Sequence, residues 1–230
     1  MNRFSALRNT LTLFAALTLF KPSSAQVLEP GFAAGVHVGV TQAFTDVTDS
    51  DINPSFGAVA QYNLTNFTFG NLEYSMGRLS RRELDIYTKS YVNNFHRVTA
   101  TANVSLGQFL NPDHRIAHFM IYNIYVGSGI GMIYSNIAEP NALTRDGFGG
   151  ITYKGADIAI PVNAGFNFKF GGYLYPDSPL NFTVNLQHNF GLTEMLDGYD
   201  PDNSDNKIKD SFTVFNVGMK YSFGKKKGYY

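Results

Sequence analysis

The stretch DIAIPVNAGFNFKF, residues 157–170, alternates without a break. Ile158, Ile160, Val162, Ala164, Phe166, Phe168 and Phe170 form one set, and Asp157, Ala159, Pro161, Asn163, Gly165, Asn167 and Lys169 form the other. A period of two places the sets on opposite faces of a β-strand. In a soluble sandwich the apolar face is the core; in a membrane barrel it meets lipid and the polar face looks inward.

Seven further segments repeat the pattern, at about 31–44, 54–64, 68–79, 96–110, 118–135, 181–191 and 211–223. In 68–79, Leu72, Tyr74 and Met76 oppose Asn71, Glu73, Ser75 and Gly77; in 211–223, Phe215, Val217 and Met219 oppose Asn216, Gly218 and Lys220. No segment carries a sustained apolar stripe of helical period. Several segments exceed the usual soluble strand of about five or six residues and approach the ~9–11 that a tilted membrane strand needs. Eight is an even number and the smallest typical of outer-membrane barrels.

The amino terminus points the same way. MNRFSALRN carries Arg3 and Arg8 without an acid, TLTLFAALTLF (10–20) is apolar, and Ser23 and Ala25 sit at −3 and −1 of a cut after Ala25. This is the order of a secretory signal peptide over 1–25, leaving residues 26–230 as one barrel domain. The apolar run is too short to span a bilayer as a helix, and no other segment approaches 18 consecutive apolar residues, which excludes a helical membrane protein. Of 18 basic residues three lie in the signal segment, which has no acid; 15 remain against 18 acids, a net charge of −3. That balance gives no reason for a nucleic-acid partner. The chain has no Cys, so disulfides play no part in holding it together.

Connections at 65–67 and 111–117 are short and that at 171–180 is moderate, whereas those at 45–53, 80–95, 136–156 and 192–210 are long or polar. A barrel with both termini in the periplasm predicts long outer loops after odd strands and short turns after even ones. The fold expected is therefore all-β, an eight-stranded antiparallel transmembrane barrel in the bacterial outer membrane, with lipid and lipopolysaccharide as its surroundings. The alternative is a secreted β-sandwich with the same alternation. Phe166, Phe168, Phe170, Tyr221 and Phe223 would ring the periplasmic rim and Tyr134 the outer rim. Gly127, Gly129 and Gly131 would leave room for larger side chains from across the lumen.

LEYSMGRLS (72–80), VSLGQFL (104–110), NIYVGSGIGMIYSN (123–136), LQHNFGLTEMLDGY (186–199) and FNVGMKYSFGKKK (215–227) carry a resemblance that covers most of the chain. It resembles the small outer-membrane β-barrel proteins of Bacteroidota, including those linked to the type IX secretion and gliding apparatus, and is similar in architecture to the barrel of OmpA-like proteins. The resemblance implies the barrel but no activity. The sequence stops seven residues after Phe223, so no peptidoglycan-binding domain is expected.

Glu73 falls mid-strand on the polar face, with Arg97, Lys169, Lys220 and His37 on the same face of other strands. A buried carboxylate needs a charged or hydrogen-bonding partner. Arg97 lies one strand over and nearer the outer end, so only partial reach is expected. Lys169 and Lys220 lie near strand ends, within reach of water. The cluster reads either as a gate or binding site or as packing that fills a barrel barely wide enough for side chains.

In the loops, Arg81, Arg82, Tyr87 and Tyr91 mix charge with aromatic area suited to contacts with other envelope proteins. Asp197, Asp200 and Asp202 belong to a solvated acidic loop that lacks the EF-hand order of ligands. His188 interrupts an apolar face without a nearby nucleophile, which argues against a lipid hydrolase. No motif calls for a metal or cofactor. A structural or accessory barrel, with a role in an envelope or secretion complex, is expected ahead of a narrow porin-like or ligand-binding transporter.

Overall fold

The computed structural model describes residues 31–44, 50–65, 67–81, 91–109, 121, 123–138, 153–169, 178–192, 196 and 210–223. Eight strands run β1 (Gly31–Phe44), β2 (Asn53–Asn63), β3 (Thr68–Arg81), β4 (Tyr91–Ser105), β5 (Ile124–Ala138), β6 (Tyr153–Lys169), β7 (Leu180–Gly191) and β8 (Ser211–Phe223). Each pairs antiparallel with the next, and β8 pairs back onto β1 from Phe32↔Phe223 to Phe44↔Ser211. The sheet is a closed barrel without a free edge, and this excludes the sandwich.

The register fixes the shape. Partners followed from Phe32 through Tyr62, Gly70, Ala102, Ser128, Val162, His188 and Thr213 return to β1 at Gln42, ten residues further along. Ten residues of rise against eight interstrand spacings correspond to strands tilted by about 40°. The same shift sets the height at which inward side chains from distant strands meet.

Three strands differ by four or more residues from the bounds read in the sequence, β6 by opening at Tyr153 rather than at 157. The segment expected at 96–110 runs Tyr91–Ser105 and then turns into a short 3-10 helix at Leu106–Phe109. The segment expected from 118 begins at Ile124. The β4–β5 connection thus spans 106–123 and the β3–β4 connection only 82–90, so the contrast between long and short connections is weaker than expected. The cause lies in residues 91–95, where polar Asn93 and Asn94 disguise a strand whose inward positions are Tyr91, Asn93 and Phe95.

Exposure inverts the pattern of a soluble domain. Val36, Leu72 and Ile130 point outward and are 67%, 56% and 60% exposed, while inward Thr99, Asn103 and Gln187 are buried. A continuous apolar exterior of this extent marks a surface that meets lipid or a partner rather than water. Aromatic rings gather at both edges of the belt. Phe32 packs on Phe223 and Phe168 on Phe182 near one rim, while Tyr74 stacks on His96 and Phe44 approaches His188 toward the other. Phe170, expected in the first ring, lies outside the described residues. No helix among the described residues is long and apolar enough to cross a membrane, so any crossing is by strands.

Candidate functional site: the barrel interior

The interior has three levels, set by which inward positions the tilted strands bring to the same height. At the end where β1 opens and β8 closes, Lys220 is buried rather than solvated. Its ammonium donates to Gln61 Oε1 at 2.6 Å and Asn167 Oδ1 at 2.9 Å, and lies 5.9 Å from the Phe69 ring. Thr183 Oγ1 donates to the same Asn167 oxygen at 2.5 Å. Tyr125 packs edge-on against Phe69, and its hydroxyl donates to Asn185 Oδ1 at 3.0 Å. Lys169 ends β6 opposite Asn181, and its side chain lies outside the described residues.

Glu73 and Arg97 occupy the middle. Their pairing partners are Thr99 and Ser75, so the two charges sit diagonally, one inward position apart along adjacent strands. The guanidinium spans that offset. Its Nη2 donates to Glu73 Oε1, its Nε to Ser75 Oγ at 2.9 Å and its Nη1 to Asn189 Oδ1 at 3.1 Å. Arg97 is 0% exposed, with Phe212 on its other side at 5.9 Å. The partial reach expected of Arg97 is corrected: planar, forked donors let one cation engage β3 and β7 together. His37 approaches Glu73 Oε1 at 3.7 Å, and neither ring nitrogen makes a hydrogen bond. A cavity of about 20 Å³ adjoins His37, Glu73, Asn71, Asn185, Asn216 and Lys220, room for a single water and no larger solute.

The third level was not foreseen. Phe95, Phe212, Leu79, Ile133, Ala43 and Ala159 form a buried apolar cluster inside the barrel at the loop end. Leu196, from the β7–β8 connection, is buried in it. Its carbonyl accepts from Asn93 Nδ2 at 2.8 Å and its N–H donates to Asp210 Oδ2 at 2.9 Å. Asp210, the last residue of the polar 192–210 connection, is buried as that anchor. Tyr91 is likewise no exposed loop contact: it opens β4 with its side chain buried in the cluster and its hydroxyl 3.4 Å from Ser50 Oγ. Arg81 is the last residue of β3 and half-buried. Arg82, Tyr87, Asp197, Asp200 and Asp202 lie outside the described residues.

Glycines admit these inward side chains from neighbouring strands, not from across the lumen. A Cβ on Gly127 would meet Asn103, on Gly129 the backbone at Ala100 and Thr101, and on Gly131 Thr99, all on β4. Asn189, Ser75, Tyr125 and Asp157 belong to the interior site although the sequence did not single them out as candidate site residues. Their inward parity was legible; their convergence depends on the register shift. His188 faces outward, its Nδ1 2.8 Å from Thr213 Oγ1 and its ring edge-on to Phe190. Among the described residues no group of three or more His, Cys, Asp or Glu could hold a metal.

On the outer face, a shallow apolar depression of about 730 Å³ lies over Ala60, Gly70, Ala100 and Ala102, bordered by Phe32 and Leu72. It lacks the few convergent polar groups that orient a small ligand.

The same fold is found in neisserial surface protein A, 12% identical, with 84% of this chain and 97% of that one aligned at a TM-score of 0.50. Ail of Yersinia pestis, solved with the heparin analogue sucrose octasulfate, is 12% identical, with 85% and 100% covered at 0.46. OprG of Pseudomonas aeruginosa is 9% identical, with 87% and 99% covered at 0.41. The last two scores are too low to bear on the fold. No family model and no curated protein sequence matches the chain.

Proposed function

We propose that this chain is a closed outer-membrane barrel, with both termini in the periplasm and a structural or accessory role rather than a catalytic or conducting one. The observation that carries this reading is the stacking of two seals in one lumen. The fully buried Arg97 bridges β3, β4 and β7, and the Phe95–Phe212 cluster lies directly above it. Eight strands leave an interior about wide enough for side chains, and here side chains occupy it. The apolar exterior and its two aromatic rings support a membrane setting. The resemblance to Bacteroidota envelope barrels favours a subunit of a larger envelope or secretion complex. A porin-like or ligand-binding role is second, because the polar chamber holds no more than a water. A hydrolase is third: the ring nitrogen of His188 meets a threonine hydroxyl, and no carboxylate contact orients it among the described residues.

The test joins location with permeability. Membranes washed in carbonate should retain the protein, and the folded form should migrate differently before and after boiling. Liposomes bearing that folded form should swell in small sugars no faster than empty ones. Release into the soluble fraction would contradict the membrane setting, and rapid swelling would contradict closure.

A further inference from the structure

We propose that the outer face of β3–β6 at the loop end binds the headgroup of a glycolipid carrying two phosphate groups, through Arg78, Asn94, Asn136 and Lys154. The proposal rests on the membrane setting above and adds a specific lipid site to it. Outward positions on these strands are the even-numbered ones. Arg78 pairs with Asn94, Asn94 with Asn136, and Asn136 with Lys154, so the four form one unbroken row across four adjacent strands. Arg78, Asn94 and Lys154 are exposed and Asn136 is half-buried.

Three features point to anionic lipid. The first is sign: on the outward face of the described strands, Arg78 and Lys154 are the only charged residues, and both are cations. Every other charge on those strands has inward parity, Glu73, Arg97, Asp157 and Lys220 among them. The second is height. One outward step below the row come Met76, His96 and Tyr134, with Tyr74 OH 2.8 Å from His96 Nδ1, and below these Val98, Met132 and Ile158 begin the apolar belt. Aromatic and hydrogen-bonding side chains of this kind sit where acyl chains end and headgroups begin. The third is spacing. Three interstrand steps separate the cations by roughly 14 Å at the backbone, with two amides between them. A disaccharide with a phosphate at each end matches that order: phosphate on each cation, sugar hydroxyls on the asparagines. A phospholipid with one phosphate would engage only one end.

The test uses the full barrel in phosphatidylcholine nanodiscs doped with bisphosphorylated or monophosphorylated lipid A. Lipids retained on the protein are counted by native mass spectrometry. Retention of the bisphosphorylated form should exceed that of the monophosphorylated form. The double change Arg78→Gln and Lys154→Gln should lower it ~30-fold, since each basic residue near a membrane surface contributes roughly fivefold. Each single change should give a partial loss, and high salt should weaken the native protein similarly. Heat-modifiable migration confirms that each variant is folded, as expected for changes at exposed sites. Equal retention of the two lipids, or undiminished retention by the folded double variant, would overturn the proposal while leaving the barrel in the membrane. Failure of the native chain to enter the nanodisc would instead overturn the membrane setting, and this site with it.

Discussion

Arg97 is the residue on which the interior turns. It carries a full charge at 0% exposure, compensated by Glu73 and by the oxygens of Ser75 and Asn189. Glu73→Gln removes the counter-charge and leaves the cation behind, so unfolding of the barrel should become easier by about 3–5 kcal/mol. Urea titration of the detergent-folded protein measures this. The paired change Glu73→Gln with Arg97→Met should recover a large part of the loss, because no uncompensated charge then remains. A paired variant as unstable as Glu73→Gln alone would show that the network matters for its shape rather than its charge. Gly57 offers a steric counterpart. A Cβ there would lie 2.5 Å from the Tyr74 carbonyl oxygen and collide with the His37 ring, so Gly57→Ala should cost about 1–3 kcal/mol in the same titration. Glu73, His37, Arg97 and Lys220 were legible as inward residues from parity alone. The contact between Glu73 and Arg97 was not, because a diagonal reach across strands depends on side-chain length and shear rather than on sequence spacing.

At the scale of the strand, the period of two decided the fold, because a one-residue slip would exchange every inward and outward side chain. Position along the strand then sets the cost of a charge facing lipid. Val38 lies at the middle of β1 and is 52% exposed, whereas Val104 is the penultimate residue of β4. Val38→Arg should oppose insertion into liposomes by about 2–4 kcal/mol, and Val104→Arg by about 0–1 kcal/mol, since the cost falls toward the interface. Refolding yields into preformed vesicles measure the pair, and equal yields would mean that the depth or the face is misassigned. Strand ends were less legible than strand faces. Tyr91 and Phe95 read as loop aromatics because Asn93 and Asn94 separate them, and only pairing with β3 and β5 shows that they belong to β4.

At the scale of the whole barrel, the outside is apolar, the half where β1 opens and β8 closes holds a polar network, and the loop half holds a buried apolar core. The sequence made the first two readable through alternation. It hid the third, because Phe95, Phe212, Leu79 and Leu196 come from separate segments and meet only when the tilted sheet closes. Ion current through single inserted barrels shows whether the lumen is closed. Protein shown to be folded by heat-modifiable migration is added to a planar bilayer, and current is recorded at steady voltage. The native chain should give no steady current above that of bare lipid. A stable, reproducible conductance step with each native insertion would contradict closure.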